Sequence, residues 1–219
     1  MNKEQFEKVR NFKLNELFKA ARVPESKRRR MNFVLDRERW DAEAFKILSN
    51  MTKDAKSFVE NGHNLYIHST ICGNGKTSWA YRMIQEYFES IWQTTDLKCR
   101  ALFVHVPTFL QAMKDNISEK NEYVTYIKKH ISNCDLVVFD DIATKSITQW
   151  ESDILLSIID TRVSNCKSCV YTSNLDNNEL HLILGDRLYS RIVNGSYNIT
   201  LVGGDKRGLH INDSITSIK

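Results

Sequence analysis

The residues of this chain with the clearest chemical meaning are Gly73, Asn74, Gly75, Lys76, Thr77 and Ser78. They follow a short apolar run, Leu65–His68, and open what reads as a helix. A polyphosphate is held by backbone N–H groups aimed at its oxygens, and glycine lets the chain turn and approach that closely. The lysine reaches the outer phosphates, the hydroxyl beside it holds a divalent cation, and the helix N-terminus adds its positive dipole end. The spacing therefore predicts a nucleoside triphosphate site with Lys76 on the phosphates and Thr77 on Mg2+. The eight-residue pattern G-x-x-x-x-G-K-[ST] asks for glycine at position 70, where this chain has Thr70. The shorter pattern that remains arises by chance in roughly 1% of chains of this length. A glycine turn before an ordinary helix would otherwise read the same.

Three further groups could complete such a site. The apolar strand Leu136–Phe139 ends in Asp140 and Asp141. Two acids at the edge of a core are costly unless a cation or strong donors compensate them. Asp140 would join the Mg2+ shell, and Asp141, pointing the other way, would polarise an attacking water. Val170–Ser173 is another strand, with Asn174 at its tip, where an amide can orient water or sense a terminal phosphate. Asparagine at a strand end also serves as a turn or cap residue. Arg187 and Arg191 stand four apart on one predicted helical face. Such arginines stabilise the charge of phosphoryl transfer, or simply form surface ion pairs.

Positioning these groups takes a parallel sheet. Strands are predicted at Leu65–His68, Ala101–Val106, Leu136–Phe139, Ser168–Thr172 and Ile199–Val202, and helices near Thr77–Trp92, Thr108–Lys114, Asn121–Ile131 and Trp150–Val163. Short apolar strands alternating with helices imply an α/β fold, a five-stranded parallel sheet flanked by helices. Ligands of such sheets bind beyond the carboxyl ends of the strands, where every candidate above falls. The first sixty residues read as helical. Phe6, Val9, Phe12, Leu14, Leu17 and Phe18 recur at helical spacing until Pro24, and a second helix is expected from about Asp41 to Val59. Residues 1–60 form a helical basic extension and 61–219 the nucleotide-binding domain.

Composition narrows the classes. No run of about 18 apolar residues occurs, so no membrane association is expected, and the N-terminus lacks the apolar core of a signal peptide. Five cysteines, one inside the phosphate loop, fit a reducing cytoplasm better than a disulfide framework. Cys166 and Cys169 read as the start of a buried strand before a metal or redox pair. Residues 1–30 carry ten Lys/Arg against four Glu, so the basic excess belongs to the extension. It suits nucleic acid or an acidic protein surface, or a solvated helix face.

The ordered set Gly73–Thr77, Val137–Asp141, Val170–Asn174 and Gly185–Ile192 resembles the AAA+ ATPases of the DnaC/DnaI helicase-loader group. That group includes many phage and prophage proteins and is related to IstB and DnaA. The segments Ala21–Arg28 and Ser57–Gly62 resemble the lead-in to its ATPase domain, so the likeness runs from about residue 20 onward. The resemblance implies a P-loop AAA+ core without a helical lid domain, binding ATP and Mg2+ through Lys76, Thr77 and Asp140. It implies Asp141 in the place of a catalytic glutamate, Asn174 as sensor 1 and Arg191 as arginine finger, with Arg187 a second candidate. Arg207 would match the sensor-2 arginine.

A finger arginine needs a neighbour's ATP, so the resemblance implies self-association into head-to-tail oligomers. It also implies single-stranded DNA along the assembly, with Lys114, Lys120, Lys128 and Lys129 as a lining or else a solvated face. The leading expectation is a cytoplasmic ATPase, in a bacterial or phage-infected cell, that loads a replicative hexameric DNA helicase onto single-stranded DNA. Phe6, Phe12 and Phe18 would dock that helicase, or pack on the chain's own domain. Thr70 and the short acid Asp141 keep open a nucleotide-dependent binding module with little turnover. An IstB-type transposition helper shares every motif. A small-molecule kinase would have no use for the Arg187–Arg191 segment.

Overall fold

A computed structural model of the chain describes residues 2–29, 33, 41–116, 121–143 and 146–206. The expected sensor-2 residue Arg207 and the lysine Lys120 lie outside the described residues. Five strands form one parallel sheet: β1 (Leu65–His68), β2 (Ala101–His105), β3 (Leu136–Asp140), β4 (Ser168–Ser173) and β5 (Tyr197–Thr200), in the order β2-β3-β4-β1-β5. The helices are α1 (Lys3–Ala20), α2 (Ala42–Lys53), α3 (Ala55–Glu60), α4 (Lys76–Ile91), α5 (Val106–Asp115), α6 (Glu122–His130), α7 (Gln149–Ser164) and α8 (Asn177–Tyr189).

Alternating strand residues feed two cores, one on each face of the sheet. Leu65, Ile67, Phe103, Val138 and Val170 pack with Leu17, Phe18, Leu48, Phe58, Met83 and Phe88 from α1–α4. Tyr66, Val104, Val137, Phe139 and Tyr171 pack with Phe109, Ile127, Leu155 and Leu188 from α5–α8. The three-layer α/β architecture is as expected, and the helical extension shares the first core.

The differences from expectation are local and have physical reasons. The run ending at Val106 gives way to helix at that residue, because Pro107 suits the first turn, where a missing N–H costs nothing. The second helix breaks at Asp54 into α2 and α3. In β5 only Ile199 is buried, and the apolar Leu201 belongs to the segment after the strand. Gly185 interrupts α8 at φ 71°, and a π-turn, Ser190–Asn194, follows, so Arg187 and Arg191 do not share one regular helix. In α1 the basic, aromatic face divides. Phe18 is buried beside Phe88, Phe6 packs edge-on against Trp92, and Phe12 remains 60% exposed. Cys166 sits in a turn at φ 50° and only Cys169 enters the strand; all five cysteines are free thiols.

Arg162 of α7 is fully buried and joins the elements at the amino ends of β3 and β4. Its guanidinium donates to the carbonyls of Ile131 (2.7 Å), Cys134 (2.9 Å) and Ser168 (2.6 Å). Among the described residues no helix is long and apolar enough to cross a membrane.

Candidate nucleotide site

The loop after β1 begins inside the sheet: the Ser69 N–H still donates to the Ser173 carbonyl at 3.2 Å. The chain must then reverse into α4, and it does so through two left-handed positions, Gly73 (φ 74°) and Gly75 (φ 106°). A Cβ at Gly75 would meet nothing within 4 Å, so the demand for glycine there is conformational. Thr70 is not among the positive-φ residues, which accounts for its tolerance at a position where the usual pattern has glycine.

Asn74 is buried at the heart of the loop, donating to Ser69 Oγ at 2.6 Å and the Leu201 carbonyl at 3.3 Å. Lys76 curls over the loop, its Nζ donating to the carbonyls of Ile71 (2.9 Å) and Ser69 (3.2 Å) and to Asn74 Oδ1 (3.3 Å). The loop opens on a cavity of about 320 Å³ whose lining includes Lys76, Thr77, Ser78, Asp141 and Asn174. Tyr81 and Lys27 line it too, neither of which motif spacing singles out. Gln85 of α4 holds the Lys27 and Arg29 carbonyls, both at 2.7 Å, bringing the lead-in segment to the cavity.

The carboxylates meet this loop through β4. Asp140 Oδ1 accepts from Thr77 Oγ1 at 2.9 Å and from Thr172 Oγ1 at 2.7 Å. Thr172 also accepts from the Asp141 N–H at 3.0 Å, which steadies Asp141 in a left-handed conformation (φ 56°). Asn174 Nδ2 donates to Asp141 Oδ1 at 2.6 Å, so the two expected catalytic groups are joined. His105 at the end of β2 brings Nε2 to 3.7 Å from Asp141 Oδ2. Thr172 and His105 escaped the sequence reading. Each lies at the carboxyl end of a strand and is recognisable only from register, which sets His105 opposite Asp140.

Burial pushes the Asp140 carboxyl above its ordinary range. The Thr172 and Thr77 hydroxyls pull it back, Asp141 adds to the rise, and His105 opposes it. A buried carboxylate flanked by hydroxyls and an imidazole is a donor set that suits a divalent cation, and His105, Asp140 and Asp141 offer ligand atoms within 4.8 Å of one another. With the left-handed glycines and the lysine over the loop, the residues present fit a triphosphate and Mg2+. Thr77 and Asp140 would hold the ion.

Arg191 does not line this cavity. Its Nε donates to Asp160 Oδ1 of α7 at 2.6 Å, and Arg187 is exposed. Lys114 pairs with Glu151 at 3.0 Å, while Lys128 and Lys129 are exposed in the last turn of α6. A larger cavity, about 600 Å³, lies at the opposite, amino-terminal edge of the strands. Its Asp135 carboxylate is already saturated by Tyr87 (3.0 Å), Arg100 (2.7 Å) and Lys167 (3.0 Å), and no glycine loop frames it. The residues of the phosphate loop, with Asp141 and Asn174, line the smaller cavity, and none of them lines the larger one.

A family model described as IstB-like ATP binding protein matches residues 4–195. Over 91 residues the chain is 28% identical to the "Replicative helicase loader DnaC" of Escherichia coli (strain K12), a stretch covering 42% of this chain and 37% of that one. The match thus spans little more than a third of that relative's length. The crystal structure of the DnaC helicase loader superposes with a TM-score of 0.60 at 18% identity, over 80% of this chain and 93% of the other. The replication initiator DnaA bound to AMPPCP and single-stranded DNA gives 0.59 at 18% identity, over 85% and 53%. At these identities the two structures speak to the fold.

Proposed function

The chain belongs to the IstB-like ATP-binding protein family, a DnaC-like AAA+ protein, and from that premise we propose that it is a Mg2+-dependent ATPase that places a replicative DNA helicase on single-stranded DNA. The observation that carries the reading is the continuous hydrogen-bonded path from Thr77 through Asp140 and Thr172 to Asp141 and Asn174. Lys76 and the loop amides would bind the phosphates. Mg2+ held there would neutralise charge on the phosphoryl group being transferred. Asp141, oriented by Asn174, would accept a proton from the attacking water. Arg191 would serve a neighbouring subunit's site in a head-to-tail assembly, leaving Asp160 to do so. Phe12 and Val9, exposed on α1, would remain for the helicase.

Phosphate release from ATP, measured with and without single-stranded DNA, tests this. Stimulated turnover that disappears in both Lys76→Ala and Arg191→Ala supports it, and capture of the replicative helicase on the tagged chain identifies the partner. Capture of a transposase instead would assign the IstB-type helper role. A second reading, a nucleotide-dependent binding module with little turnover, rests on Thr70 in the phosphate loop and on Asp141 being a shorter acid than the glutamate that the family resemblance implies at that place. ATP binding without turnover under any condition would select it.

A further inference from the structure

The segment that follows β5 runs along the outer side of the phosphate loop. Leu201 donates its N–H to the His68 carbonyl at 2.9 Å, and its own carbonyl accepts from Asn74 at 3.3 Å. Further on, the Lys206 N–H donates to the Gly73 carbonyl at 3.0 Å. This strap thus touches two loop residues whose backbone must be correctly placed to receive phosphates. Little of the strap is held by apolar packing, since Leu201 is buried but Val202 is half-exposed.

Asp41, at the start of α2 in the extension, is almost fully buried. Its Oδ1 accepts from the Val202 N–H at 2.7 Å and the Gly203 N–H at 3.2 Å, and its Oδ2 from the Gly203 N–H at 3.1 Å. Lys206 Nζ stands 3.8 Å from Oδ2. The fit at Gly203 is close: an added Cβ would lie 2.5 Å from Asp41 Oδ2.

We propose that Asp41 is a positioning residue for the nucleotide site, holding the strap and through it the phosphate loop. This rests on the nucleotide-binding reading. The carboxylate does not line the cavity, so its effect must pass through Gly73 and Asn74. The same link joins the helical extension to the phosphate loop, so that a partner pulling on α2 would alter nucleotide affinity.

The test is equilibrium binding of a fluorescent ATP analogue with Mg2+ to the full chain. Asp41→Ala is expected to weaken binding about tenfold, equivalent to about 1.4 kcal/mol. Gly203→Ala, which forces the carboxylate off the strap from the other side, should lose about as much. The double variant should be no worse than either single one, because both break one link. Asp41→Asn retains an acceptor oxygen and should recover most of the affinity. Ile127→Ala of α6 weakens the core on the other face of the sheet, which holds neither α2 nor strap residues, and should bind like wild type below its melting temperature, which separates positioning from general destabilisation. Wild-type affinity in Asp41→Ala and Gly203→Ala, or losses that multiply to about a hundredfold in the double variant, would overturn the proposal. Should Asp41→Ala fail to fold, Gly203→Ala alone decides. A wild-type chain that does not bind the analogue would instead refute the nucleotide reading itself.

Discussion

Replacing Thr172 with valine isolates the joint between the two halves of the nucleotide site. The hydroxyl is fully buried, donates to Asp140 Oδ1 at 2.7 Å and accepts from the Asp141 N–H at 3.0 Å. Valine keeps the shape and removes both bonds. A hydrogen bond to a charged group contributes roughly 1.5–3 kcal/mol and a neutral one about 1 kcal/mol, so Thr172→Val should cost about 3 kcal/mol. The loss also has a signature in pH. Thr172 stabilises the ionised carboxylate, so removing it raises the native pKa of Asp140 further. The variant's native state then holds its proton more tightly, and its deficit should shrink as acid protonates Asp140. In an Asp140→Asn background, where the acceptor is neutral, the cost should fall to roughly 1–2 kcal/mol. Urea denaturation of the nucleotide-free protein, at neutral pH and at successive steps downward, measures each of these. A deficit below about 1 kcal/mol at neutral pH, or one indifferent to acid, would refute the reasoning.

The imidazole of His68 is held below its ordinary range by burial and by the Lys76 ammonium, with Asp176 opposing. Its native pKa is therefore lower than in the unfolded chain, and the stability it contributes is present above the unfolded value of about 6.5 and lost as pH falls. His68→Gln, which can still meet the Thr200 hydroxyl, should flatten the denaturation midpoint against pH between neutrality and about pH 5. On α1, Phe18→Ser should cost about 3–5 kcal/mol and Phe12→Ser no more than about 0.5 kcal/mol, checked by thermal melting; equal losses would contradict the packing described. Arg162→Met leaves three buried carbonyls without their donor and should cost about 3–5 kcal/mol in urea.

How much of this could be read from the chain varies with the range of the interaction. The phosphate loop was legible because its chemistry is local: two left-handed turns, a lysine and a hydroxyl within five residues. β1 coincides with its apolar run, and β2, β3 and β4 differ by a residue at most, because strands buried on both faces are apolar throughout. β5 was displaced by two residues, since as an edge strand it buries only Ile199. Pairwise relations were invisible. The bond from Asn174 to Asp141 spans 33 positions and that from Thr172 to Asp140 spans 32, and no pattern in either strand announces them. The hold of Asp41 on Val202 spans 161. The helical face of α1 was correctly periodic, but periodicity cannot say whether an aromatic faces the chain's own core or a partner; burial separates Phe18 from Phe12.

The position of β1 in the sheet bears on how the chain reaches its native state. Its two strand neighbours, β4 and β5, are both more than a hundred residues later in the sequence. As the chain leaves a ribosome, Leu65–His68 and the loop behind it have no pairing partner until about a hundred further residues have been made. β2 and β3, by contrast, can pair with each other early. Contacts of such sequence separation slow folding, because the loop must close before the pairing repays it. The nucleotide site is therefore among the last parts of the domain to form during synthesis, and truncated chains that stop before β4 leave an apolar strand open to aggregation.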